Sequence, residues 1–82
     1  MHVQLSDDEA LVLSDWLDRV MHRKEFAAVV DDRAVWRPLL TISGSLETQL
    51  PQIFSSSYQE DLDGARARLV AGLGDFGAET ET

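Results

Sequence analysis

Apolar residues recur along the chain with the period of a helix, and they do so in three blocks. In the first, Leu13, Trp16, Leu17, Val20 and Met21 stand at i, i+3, i+4, i+7 and i+8. At about 100° per residue that spacing gathers them on one stripe. It predicts a helix from about Asp7 to Arg23 with the stripe turned to the core. Ser6 and Glu9 mark its start as a capping box, the hydroxyl accepting from the Glu9 amide and the carboxylate from the Ser6 amide, with Leu5 and Ala10 placed as a hydrophobic staple. Asp7, Asp8 and Glu9 suit the positive end of the helix dipole, and Arg19, Arg23 and Lys24 its negative end.

The second block starts near Asp31 or Asp32, either of which can cap it, and runs to about Leu50 before Pro51. Val35, Leu39, Ile42, Leu46 and Leu50 hold the helical spacing, with Trp36 and Leu40 beside the stripe. Pro38 has no amide, and its ring crowds the carbonyl of Ala34, so the spacing predicts either a kink or a later start with Pro38 in the first turn. Ser43 and Gly44 lower the helix preference further, the glycine by about 1 kcal/mol relative to alanine, so packing must hold this segment.

The third block follows Pro51-Gln52-Ile53-Phe54 and the serines Ser55, Ser56 and Ser57. Ser57 with Glu60 reads as a second capping box, and Tyr58, Leu62, Ala65 and Leu69 form the stripe. Gly64, Ala65 and Ala67 keep part of this helix thin enough for a close neighbour, and Gly72 and Gly74 end it. Residues 25–30 stay open: they extend the first helix, fold back under the core as an apolar connection, or pair as a short strand with Val3 and Leu5. The expected fold is all-α, a small three-helix domain over residues 1–73 with a flexible acidic tail over 74–82.

Composition narrows the function classes. The 82 residues carry 15 Asp and Glu against 7 Lys and Arg, a net charge of -8, with 44% hydrophobic residues. That apolar content suits a folded domain with one modest core, too small for a large enzyme pocket. The absence of cysteine excludes a disulfide framework, a thiolate metal site and a thiol nucleophile, and points to a reducing cytoplasm. There is no basic segment leading into an apolar leader and no apolar run of about 20 residues, so neither export by that route nor a membrane anchor is expected. Repulsion disfavours direct contact with nucleic acid or an anionic membrane, and attraction favours a basic protein partner.

The combination of Leu11-Val12-Leu13 with Trp16-Leu17, Val35-Trp36-Arg37 with Leu46-Glu47, and Tyr58 with Leu62 and Ala65-Arg66-Ala67-Arg68 resembles a loose group of short acidic bacterial proteins. Immunity proteins that neutralise polymorphic toxins are of that general kind. The resemblance implies a cytoplasmic, non-catalytic inhibitor, and it carries no site residues with it.

Candidate binding residues come from charge placement. Asp7, Asp8, Leu11, Asp15 and Asp18 occupy an arc of about 100° on the first helix, away from Trp16, Leu17 and Val20. Five carboxylates and no Lys or Arg stand in the first 18 residues. Such a face can fill a basic cleft as phosphates would, with Leu11 as an apolar contact; the plainer reading is a solvated helix face. Glu60, Asp61 and Asp63 extend it if the first and third helices are neighbours, although dipole stabilisation alone explains acids there. Trp36 is either core or an interface anchor. The leading expectation is therefore an inhibitor of a basic toxin or nuclease domain. The alternative is a helical adaptor or accessory subunit, homodimeric in one version, using an apolar surface around Trp36, Leu40 and Phe54. His2 and His22 lack partners at metal-ligand spacing, Asp31-Asp32 lacks the oxygens and glycine of a calcium loop, and the serine triplet lacks an orienting base. No cofactor, metal or catalytic residue is expected.

Overall fold

The computed structural model describes residues 2–49 and 56–77. The helices are α1 (Asp7–Val20), α2 (Lys24–Val29), α3 (Trp36–Gln49) and α4 (Tyr58–Leu73), with a 3-10 turn at Arg33–Val35 ahead of α3. No strand occurs among the described residues. Three long helices and an all-α fold are thus what the periodicity predicts, and α2 is the addition.

The start of α1 forms as its capping box requires. The Ser6 amide donates to Glu9 Oε1 at 2.7 Å, and the Glu9 amide donates to Ser6 Oγ at 3.1 Å. α1 stops at Val20, three residues before Arg23, where the backbone turns extended. The chain then rewinds as α2, so residues 25–30 are neither a continuation of α1 nor a strand. Nor do they lie under the core as an apolar connection: α2 has no buried residue and Val29 is 75% exposed, Phe26 alone making ring contacts. Phe26 meets Trp16 edge to face at 5.5 Å between ring centroids, and Trp36 at 5.7 Å, tying α1, α2 and α3 together.

At the next junction the Asp32 carboxylate accepts from the Ala34 amide at 3.0 Å. α3 begins only at Trp36, so of the two expectations for Pro38 the later start is the one adopted. Pro38 sits in the first turn, where an amide has no intrahelical acceptor to lose. α4 begins at Tyr58 as expected, but Ser57 does not cap it. Its hydroxyl donates instead to Asp61 Oδ2 at 3.2 Å, because Ser57 lies outside the extended conformation that aims a capping oxygen at the following amides.

The core is in two parts, and α1 serves both. One of its faces puts Leu11 against Leu62 and Ala65 of α4, with Val12 and Tyr58 packed around them. The other puts Leu17 against Leu46 of α3, with Ala10, Leu13, Met21 and Leu39 around them. Asp8 meets Arg68 and Asp15 meets Tyr58, so α1 and α4 run antiparallel. Ala65 is wholly buried, which is where the thin surface of α4 admits its neighbour.

Three expectations are corrected here. Leu11 is 4% exposed and belongs to the core, because α4 packs on the very arc that its acidic neighbours suggested was free. Trp16, placed in the core stripe, is 41% exposed, since α3 and α4 take the flanks of α1 and leave the strip between them uncovered. Val35 and Ile42 of the second stripe are also exposed, while Leu39 is half-buried and Leu46 buried. Leu50 and Phe54 lie outside the described residues, as does the tail beyond Gly77.

Candidate functional site

Two surfaces compete for a functional role: the acidic arc expected on α1, and the apolar strip that the packing leaves open. The acidic arc is largely occupied from within the molecule. Arg68 of α4 donates to Asp8 through both Nε, to Oδ2 at 2.7 Å, and Nη2, to Oδ1 at 2.9 Å. These hydrogen bonds hold the Asp8 carboxyl below its ordinary value of 3.8; partial desolvation opposes them and the guanidinium charge adds to them. Asp15 is engaged on both oxygens, by Arg19 Nε at 2.9 Å and by the Tyr58 hydroxyl at 3.2 Å. Burial pushes the Tyr58 hydroxyl above its ordinary value of 10.0, with the charge of Asp15 and the bond to it adding to the effect.

What remains for a partner is a smaller set of carboxylates. Asp7, Asp18 and Glu60 are exposed and form no ion pair among the described residues. Asp63 is exposed and accepts from Gln59 Nε2 at 3.0 Å, and Asp61 is half-buried with Ser57 on it. α1 and α4 are neighbours, so acids of both helices do share one part of the molecule: Asp18 lies close enough to Tyr58, and Asp61 to Arg68, to act on them electrostatically. Asp8, Asp15 and Leu11, however, are spent on holding the two helices together.

The apolar strip was not among the sequence-derived candidates. Between α1 and α4 an open hollow of about 770 Å³ is walled by Val12, Leu13 and Trp16 on one side and Leu69, Val70 and Leu73 on the other. Between α1 and α3 a second, of about 480 Å³, is walled by Val3, Ala10, Ile42 and Leu46. Both hollows share Leu5 and Leu13, so together they form one apolar face crossing α1 from α3 to α4. Val70 and Leu73 stand more than half exposed on it. Arg19, Arg66 and Arg68 edge the α4 side with Glu9 and Asp15, and Arg66 has no ion pair among the described residues.

Sequence reasoning missed this face because α1 is apolar around more than one side. Leu11, Val12, Leu13, Trp16 and Leu17 cannot all lie on one stripe. A helix so built serves two neighbours and still has an apolar strip to spare, and that breadth was the available signal. Of the surface expected around Trp36, Leu40 and Phe54, the described residues are Trp36 and Leu40. Trp36 is half-buried against Phe26, and Leu40 is exposed on α3.

Among the described residues no group of three or more His, Cys, Asp or Glu side chains converges to hold a metal ion, and no helix is long and apolar enough to cross a membrane. No family model matches the chain, and neither a curated protein nor a solved structure does.

Proposed function

We propose that the chain is a non-catalytic protein-interaction module, a helical adaptor or accessory subunit that docks on another protein through the face spanning α3, α1 and α4. The observation that carries this reading is the contrast between core and surface. The described core holds Leu11, Leu17, Leu46, Leu62 and Ala65, while Trp16, Ile42, Val70 and Leu73 are left in water on one side of the molecule. Scattered exposed apolar residues need no explanation, but a contiguous face that includes a tryptophan is what binding surfaces present. A cysteine-free chain of this kind suits a reducing cytoplasm.

A second reading rests on a different observation. Asp7, Asp18, Glu60 and Asp63 are exposed on a chain of net charge -8, and they would steer it toward a basic protein. In that reading the chain is an immunity-type inhibitor that blocks the active or substrate-binding surface of a nuclease-like toxin.

Cross-linking capture with the tagged chain separates the two. The comparison uses wild type, a face variant (Trp16→Ser with Val70→Asp) and a charge variant (Asp18→Lys with Asp63→Lys), each at low and high salt. Docking through the apolar face predicts a partner that survives high salt and the charge variant and is lost with the face variant. Loss with salt and with the charge variant, together with retention by the face variant, would replace this reading with the inhibitor one.

A further inference from the structure

The occupant of the apolar face can be argued from its width and its charge. Helices pack about 10 Å apart, so a face crossing α3, α1 and α4 is about 20 Å wide, whereas a lone partner helix is about 10 Å across. One docked helix would cover one of the two hollows and leave the other wet. A broad helical face of matching breadth is needed, and this chain itself carries one.

Charge points the same way. Two copies of a chain at -8 repel unless they meet where that charge is absent. On the α4 side of the face three arginines stand with Glu9 and Asp15, and Asp8 pairs with Arg68, so this edge is close to neutral and the excess negative charge of the chain lies elsewhere. Arg66, edging the hollow, forms no ion pair among the described residues, and neither does Glu9, whose Oε1 accepts from the Ser6 amide; in a two-fold contact a second copy would offer the opposite sign to each. Trp16 lines the α1–α4 hollow with Val12, Leu13, Leu69, Val70 and Leu73, and a half-exposed tryptophan among apolar neighbours suits an interface anchor.

We infer that a second copy of this chain covers the face, so that two α3–α1–α4 faces meet about a two-fold axis. An isologous contact of this kind closes on itself and leaves the exposed carboxylates Asp18 and Asp63 outside the patch. The inference rests on the docking reading above, and it names the partner.

Sedimentation equilibrium of the full chain over about a hundredfold concentration range tests it. The expected result is twice the 9.1 kDa chain mass at high concentration. Val70→Asp with Leu73→Asp, both at exposed positions and so compatible with folding, is expected to weaken dimerisation at least about tenfold. Leu40→Asp, exposed on α3 outside the face, is expected to leave it unchanged. Circular dichroism confirms that each variant is folded. A wild type that stays monomeric throughout overturns the inference, and so does a dimer indifferent to the Val70/Leu73 pair. If the monomeric chain still captures a different protein in a face-dependent way, only the second copy fails; if capture ignores the face as well, the docking reading fails with it.

Discussion

Two of the carboxylates that make α1 look like an outward acidic face, Asp8 and Asp15, are the ones that fasten it to α4. Asp15 illustrates the point: it takes Arg19 from its own helix and Tyr58 from a position 43 residues on. Tyr58 is the one tyrosine of the chain, so absorbance near the tyrosinate band reads it alone. Because burial and Asp15 raise its pKa, the folded state keeps the proton past pH 10.0, where the unfolded chain begins to lose it. The stability this gives is whole below pH 10.0 and is lost as pH rises through the folded value. Titration of the native chain should therefore show a midpoint above 10.0, and Asp15→Asn should bring it part of the way back, burial remaining. A midpoint at the ordinary value would remove Tyr58 from the α1–α4 contact. Leu11 gives a second test at this scale. Buried against Leu62 and Ala65, it should cost about 2–4 kcal/mol on truncation to alanine, read by denaturant unfolding. A loss under about 0.5 kcal/mol would return it to the surface.

At the level of elements, what could be read from the chain was whatever local chemistry decides. Ser6 and Glu9 fix the start of α1 because both bonds of the box lie within four residues. Pro38 limits α3 to a late start for an equally local reason. The failure of Ser57 to cap is local, its hydroxyl donating to Asp61 four residues on. The end of α1 and the rewinding of residues 24–29 depend on where Phe26 finds its partners, Trp16 and Trp36, and those are tertiary contacts that periodicity does not contain. The engagement of Asp8 is out of reach of periodicity for the same reason, since Arg68 reaches it from 60 residues away. α3 is the helix whose own preference is poorest. At Gly44 a β-carbon would meet nothing within 4 Å, and the position is exposed. Gly44→Ala should thus add about 0.5–1 kcal/mol and raise the thermal midpoint by about 2–8 °C. No gain would mean that α3 is held by contacts in which its own helix preference plays no part.

For the molecule as a whole, attraction and repulsion between charges are unevenly matched. The ion pairs seen among the described residues, Asp15 with Arg19 and Asp8 with Arg68, both lie at the surface, where such pairs contribute little. Against them stands the self-repulsion of 15 carboxylates with only 7 basic side chains. Screening weakens both, and the larger effect decides the sign. The thermal midpoint should therefore rise as sodium chloride goes from about 0.02 to about 0.5 M, at one fixed protein concentration. Fixing the concentration matters, because screening also lets two chains of charge -8 approach, and association stabilises the folded state by mass action. The Asp18→Lys, Asp63→Lys variant reduces the net charge by half without touching either ion pair, so its rise should be shallower. A midpoint that falls with salt would mean that the Asp8 and Asp15 pairs outweigh the repulsion, and the acidic surface would then be a stabilising network.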